Sequence, residues 1–209
     1  DYSKENYTSM LWVAEGFTVY YEYMLMRDAG LLSEQEVLDY LSTHIRSIEN
    51  GEGKDHMSLE RSSFDIWNHF LNNNEISGET TISYYNKGPV IGLLLDLAIR
   101  HESGNERSLD DVMRYLYAHL YRELGRGYTE EEFWEVSERM AGTSLEEVRQ
   151  YVETTTPPDY AKYLGYAALG LDLDPLEAKA SEEGDKKYQL IMLEPENELQ
   201  KQIRESLLN

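Results

Sequence analysis

Glu15 is the residue of this sequence that most needs an explanation. It stands beside Gly16 in residues 12–27, W-V-A-E-G-F-T-V-Y-Y-E-Y-M-L-M-R, where apolar and aromatic residues otherwise dominate. An unpartnered buried carboxylate costs several kcal/mol or shifts its pKa. A helix built on this stretch must therefore bring Glu15 an arginine, a lysine or a metal ion, and periodicity does not choose among them. A second cluster, Y-Y-N-K-G at residues 84–88, precedes the most apolar run of the chain. A phenol stays protonated at neutral pH and can donate to developing negative charge; on composition alone, a Tyr-Tyr pair before a buried helix is a packing element. The histidines are His44, His56, His69, His101 and His119. No two stand at i and i+4, so none forms a helical metal pair, and none is assigned to a metal. Ser62-Ser63 lacks a G-x-S-x-G context, and no glycine-rich phosphate loop is present.

These residues need elements to position them. Read as helix, residues 12–28 put Leu11, Ala14, Thr18, Tyr21 and Leu25 on one face with Glu15 beside it, and Gly30 is a natural C-cap. Ser33 and Glu36 form a capping box for a helix through Val37, Leu38, Leu41, Ile45 and Ile48, which stops at the loop signal of residues 50–53. Residues 62–70 read as a short helix burying Phe64, Trp67 and Phe70, and residues 72–81 as a loop. The run after Gly88-Pro89 is too long and too uniformly apolar for an alternating strand, so it reads as a buried helix with Pro89 near its first turn. Ser108 caps a helix through Val112, Tyr115, Leu116, His119, Leu120 and Leu124, ended by Gly125 and Gly127. Thr129 with Glu132, and Ser144 with Glu147, are capping boxes for two more, the second closing before Pro157-Pro158. Residues 159–169 read as a short helix. Residues 172–187 look like a linker, 188–193 like one strand whose partner is expected outside the chain, and 196–208 like a last amphipathic helix. The prediction is a mainly α fold: a helical part over residues 1–171, then linker, strand and helix over 172–209.

Composition narrows the function. The chain has 209 residues, 41% of them hydrophobic, enough for one domain with a real core or two small ones. It has no apolar run long enough to span a membrane. Forty acids against 19 bases give a formal charge of −21, which argues against nucleic acid and anionic membranes as partners. Cysteine is absent, which excludes disulfides and thiolate metal sites. Seventeen tyrosines should lie in the core or at interfaces with their hydroxyls satisfied. Asp1 stands where an initiator Met would, without a signal-like segment after it, so the chain is expected to be a piece of a longer polypeptide. No internal repeat is present.

The run D-Y-S-K-E-N-Y-T-S-M-L-W-V-A-E-G-F-T-V-Y-Y at residues 1–21, with S-Y-Y-N-K-G-P-V-I-G-L-L-L-D-L-A-I-R at residues 83–100, resembles the glycyl aminopeptidase family of zinc peptidases, within the wider gluzincin group. The likeness continues through R-S-S-F-D-I-W, S-L-D-D-V-M-R-Y-L-Y and Y-T-E-E-E-F-W to Y-L-G-Y-A-A-L-G-L. It implies a helical bundle forming the C-terminal half of a gluzincin-type catalytic domain. Glu15 matches the third zinc ligand, supplied by a W-x-x-E-G helix. Tyr85, two residues before the K-G pair, matches the tyrosine that donates to the oxyanion, and Tyr84 shapes the site or packs. The other two ligands and the general-base glutamate come from an H-E-x-x-H helix, and H-E-x-x-H does not occur here.

The resemblance thus implies a fragment of a zinc aminopeptidase that removes small N-terminal residues, glycine or alanine, from peptides. Its partners would be the peptide substrate and the missing N-terminal part of the polypeptide, and its location extracytoplasmic, in the periplasm. Zinc belongs to the complete enzyme; the isolated chain is expected to be inactive and to hold no metal tightly. A PDZ-like domain, carried by family members near this point, does not fit in the tail. The alternative is a non-catalytic helical binding module derived from a peptidase, and behind it an unrelated helical interaction domain with an acidic surface.

Overall fold

The apolar run after Gly88-Pro89 becomes the axis of the fold. The computed structural model describes residues 3–71, 80–175 and 185–208, and in it residues 84–102 form one helix whose residues 87–99 are all buried. A helix apolar on every side has to be wrapped on every side. The wrapping begins with a π-helical turn, Trp12–Gly16, that continues without a break into α1 (Phe17–Asp28). Next comes α2 (Glu34–Glu49), started by the Ser33/Glu36 capping box: Ser33 N–H donates to Glu36 Oε2 and Glu36 N–H to Ser33 Oγ. Val37, Leu38, Leu41, Ile45 and Ile48 are its buried stripe. After a 3₁₀ turn, Glu52–Asp55, two short helices follow, α3 (Leu59–Phe64) and α4 (Ile66–Leu71). The axis itself is α5 (Tyr84–Glu102).

Beyond the axis, α6 (Leu109–Tyr115) runs on as a π-helical segment, Leu116–Glu123, up to Gly125, whose φ of 68° is the left-handed value a C-terminal glycine adopts. The Thr129/Glu132 capping box opens α7 (Glu130–Ala141), followed by α8 (Glu146–Glu153) and α9 (Tyr160–Gly165). Two short strands, β1 (Leu169–Asp172) and β2 (Gln189–Met192), pair antiparallel with Leu169 opposite Met192 and Asp172 opposite Gln189. The last helix, α10 (Glu198–Leu208), returns to pack on α5. The fold is mainly α, as the sequence predicts, and carries one short antiparallel pair of strands. No helix among the described residues is long and apolar enough to cross a membrane.

One buried ionic knot fastens the axis. Asp96, within α5, accepts from Tyr20 Oη at 2.9 Å, Arg100 Nε at 3.0 Å and the Leu109 N–H at 2.7 Å. A buried carboxylate is tolerable when its lone pairs are taken in this way, and these partners tie α1, α5 and the start of α6 together.

Four expectations are corrected. The buried face of the first helix is Trp12, Val13, Gly16, Phe17, Tyr20 and Met24, and Leu25 of the expected face is 62% exposed. The large aromatics Trp12, Phe17 and Tyr20 win over a stripe that includes Ala14 and Thr18, because they remove more apolar area from water. The helix expected over 62–70 is two helices meeting at Asp65, and Phe64 and Trp67 are not core residues. Phe64 packs against Tyr7 and the Trp67 indole donates to the Asn6 carbonyl, so both cover the N-terminal segment; the side chain of Phe70 lies outside the described residues. The Ser144/Glu147 box does not form. Leu145 is the N-cap of α8, and Glu138 Oε1 accepts from its N–H.

The fourth correction concerns the strand. Its partner, β1, is within the chain: it begins at Leu169, read as the end of a helix, and reaches Asp172, read as the start of the linker. The short helix stops at Gly165, and Ala168 turns with a φ of 49° into β1. Side chains of α2 hold β2 in place: Ser42 Oγ accepts from Leu190 N–H, and Arg46 Nε donates to the Lys187 carbonyl. Of the two segments read as loop and linker, residues 72–79 and 176–184 lie outside the described residues.

Candidate active site

Two glycines bring the two motifs together. The W-x-x-E-G turn crosses the first turns of α5 so closely that a Cβ on Gly16 would stand 2.6 Å from Gly88 Cα and 3.0 Å from the Tyr84 carbonyl oxygen. A Cβ on Gly88 would stand 2.7 Å from both Gly16 Cα and the Trp12 carbonyl oxygen. Only hydrogen at both positions permits this backbone-to-backbone approach. Beneath it Trp12 is wholly buried, edge-on to Phe17 and Phe133 at 5.4 and 5.6 Å and stacked on Trp134 at 5.9 Å. The π-helical winding at residues 12–16, a local feature that concentrates at functional sites, sets Glu15 at the rim of the crossing.

Glu15 and Tyr85 are consequently neighbours. The Tyr85 phenol interacts electrostatically with the Glu15 carboxylate and with Tyr84, and the two ring centroids lie 4.8 Å apart. Desolvation, then the carboxylate, push the Tyr85 phenol up to about 12, and the same two causes raise Tyr84. Glu15 itself is half-buried. Neither Arg27 nor Lys87 is its counter-ion: Arg27 pairs with Asp28, and the opposite charge facing Lys87 is Glu49. Among the described residues the carboxylate thus has phenols beside it and no lysine or arginine paired with it, an arrangement compatible with a metal ligand.

The turn that carries Tyr85 is held by its own sequence. Ser83 is the N-cap of α5, and its Oγ accepts from the Tyr85 N–H at 3.2 Å. Pro89 falls in the second turn of α5 rather than the first; lacking an N–H, it leaves the Tyr85 carbonyl without its i+4 donor. Asn86 is fixed through Nδ2 to Ser47 Oγ of α2 at 3.0 Å. Beside Tyr84, Tyr85 and Asn86 opens a cavity of about 500 Å³, walled by Ile48, Ile82 and Ser83 among others, with Lys54 on its lining. That ammonium is engaged by Glu49, which also accepts from Tyr160 Oη.

Several participants were not legible as site residues. Lys87 is 3% exposed, and burial pulls its ammonium down to about 8 despite Glu49. His44, assigned to no metal in the sequence, hydrogen-bonds to Asn86. The S-Y-Y start of α5 was a readable signal for the Ser83 cap. The pairing of Gly16 with Gly88 was not, since no local pattern announces a contact between distant glycines. The other histidines are dispersed: His101 stacks on Tyr166 at 3.7 Å and His119 pairs with Glu123, and the side chain of His69 lies outside the described residues. Among the described residues no three His, Asp or Glu side chains converge as a metal site.

The comparisons relate this bundle, with its touching E-G turn and K-G helix start, to peptidase domains. Residues 1–91, which contain both motifs, match the model of the M61 glycyl aminopeptidase family. Among solved structures, the chain is similar to the aminopeptidase N family protein of Idiomarina loihiensis, with 26% identity and a TM-score of 0.78 over 87% of this chain. It spans 31% of that protein's length. No curated protein matches the chain. The two matches bear out the resemblance read from the sequence: this is a peptidase-derived domain, consistent with a fragment of the glycyl aminopeptidase family.

Proposed function

We propose that this chain is the part of a zinc aminopeptidase catalytic domain that supplies Glu15 as a metal ligand and Tyr85 as the donor to the oxyanion. The observation that carries the reading is the glycine crossing, which sets the two motif residues side by side. Glu15, together with ligands from the rest of the polypeptide, would hold the zinc ion, which would supply Lewis-acid polarisation of the scissile carbonyl. The chain's own chemistry lies at Tyr85 Oη. Raised to about 12, that phenol keeps its proton at neutral pH and can donate it in a hydrogen bond to negative charge developing on a substrate oxygen. Ser83 and Asn86 keep the donor where it is by pinning its turn.

The proposed substrates are peptides with a small N-terminal residue, glycine or alanine. The family match supports the residue type and the aminopeptidase N neighbour supports exopeptidase action. An extracytoplasmic location is proposed on the family likeness alone. The test uses the complete polypeptide loaded with zinc and glycine or alanine p-nitroanilide as substrate. Hydrolysis is expected there, while the 209-residue chain alone is expected to be inactive and to bind zinc weakly by calorimetry. Tight one-to-one zinc binding by the chain alone would remove the shared-site reading. Absence of hydrolysis by the complete zinc-loaded protein would replace the enzyme with a binding module.

A further inference from the structure

A side-chain bridge behind the site links the two elements that carry Glu15 and Tyr85. His44, on α2, is half-buried between them. Its Nε2 lies 2.8 Å from the hydroxyl of Tyr23, on α1 two turns beyond Glu15. Its Nδ1 lies 3.2 Å from Oδ1 of Asn86, the residue after Tyr85. Tyr23 is stacked flat on Tyr40, with centroids 5.0 Å apart and rings within 9° of parallel, and Asn86 is held from the other side by Ser47.

We propose that His44 is a positioning residue: by bonding Tyr23 on one side and Asn86 on the other, it locks the helix of Glu15 to the turn of Tyr85 and sets where the Tyr85 ring lies. The catalytic meaning of that position rests on the role proposed above for Tyr85. Donors and acceptors fit in one way without conflict. Asn86 spends its amide N–H on Ser47, so it presents its carbonyl to His44, which must donate from Nδ1. Nε2 is then the acceptor for the Tyr23 hydroxyl. A neutral imidazole with its proton on Nδ1 satisfies both contacts, and burial, opposed by the Asn86 bond and by Glu22, keeps the ring below its ordinary range. A phenylalanine or leucine at position 44 would fill the space and lose both bonds.

The test reads geometry in the 209-residue chain by NMR, so it stands apart from any result on zinc or hydrolysis. Histidine ¹⁵N shifts should show His44 with its proton on Nδ1. The cross-peak between the Tyr85 ring and the Glu15 side chain should weaken several-fold in His44→Ala and in Asn86→Ala and return in His44→Gln, whose amide can donate to Asn86 and accept from Tyr23. Asn86 is only half-buried, so Asn86→Ala carries the test if His44→Ala does not fold. A proton on Nε2, or an unchanged Tyr85–Glu15 cross-peak in Asn86→Ala, would overturn the proposal. A residue that merely stabilises the fold would lower the melting temperature without moving that ring.

Discussion

Gly16 and Gly88 meet backbone to backbone, and that meeting is what makes one site out of two sequence motifs. Each glycine directly follows or closely follows a residue with chemical potential: Glu15 precedes Gly16, and Tyr85 lies one helical turn before Gly88. Once the backbones touch, the two side chains have few other places to go.

Gly16→Ala and Gly88→Ala should each destabilise the chain by about 1–3 kcal/mol, the usual range for forcing an extra carbon into a packed position. The neighbouring atoms are backbone, which cannot rotate aside, so values at the upper end are expected. Urea unfolding against Gly142→Ala, at a left-handed C-cap with open space around it, separates crowding from backbone strain.

Tyr85→Phe in the complete polypeptide should lower kcat roughly a hundredfold with little change in KM, because the lost bond is made to charge that develops in the transition state. Zinc content should stay unchanged. Glu15→Gln should have the complementary signature, reduced zinc content by atomic absorption together with lost activity. Since Tyr85 is pushed up to about 12, ionisation of this donor should place no alkaline limb on the rate below about pH 10.

Lys87→Met should stabilise the chain at pH 7 by about 1–3 kcal/mol, since a buried ammonium that Glu49 only partly offsets is replaced by an apolar chain of similar length. Glu49 retains Lys54 and Tyr160 as partners. The sign with pH follows from the lowered value of about 8. Between pH 8 and the ordinary lysine range the unfolded chain holds the proton that the folded chain has released, so wild-type stability rises there and the advantage of methionine shrinks. Denaturant midpoints at pH 7 and pH 10 decide it.

The tyrosines predict the opposite trend at higher pH. Tyr20 and Tyr160 are raised well above the ordinary phenol value, and Tyr151 to about 12, each mainly by burial. Their contribution is complete below about pH 10 and is lost as the pH climbs through the folded values, because unfolded phenols ionise first. Circular dichroism should show cooperative unfolding in alkali above about pH 10, with tyrosinate absorbance rising in the same step.

What the sequence disclosed follows from the range of the forces involved. Caps at Ser33 and Thr129 were readable because donor and acceptor lie within one turn of each other. The burial of α5 was readable because its apolar run leaves no alternative face. The orientation of α1 was misread because counting apolar residues gives Ala14 and Leu25 the same standing as Trp12 and Phe17. Which stripe is buried is decided by Phe133 and Trp134, distant in sequence, which receive those rings. Likewise the position of β2 is fixed by Ser42 and Arg46 on α2, and neither carries a strand signal. Glu15 and Tyr85 could be singled out by their motifs, whereas His44 could not, since its role exists only where α1, α2 and α5 converge.

The face of α1 turned away from the core has a colloidal consequence. Leu25, Tyr117, Tyr121 and Leu124 are each more than half exposed, and grooves lined by Val13, Met113, Tyr128 and their neighbours join that helix to the π-helical segment. Wet apolar surface of this kind is adhesive, while a net charge of −21 pushes like molecules apart. Salt shortens the reach of the repulsion to about 10 Å at 0.1 M and about 3 Å at 1 M and leaves the adhesion in place. The isolated chain should therefore salt out at unusually modest ionic strength, with light scattering rising as the screening length contracts.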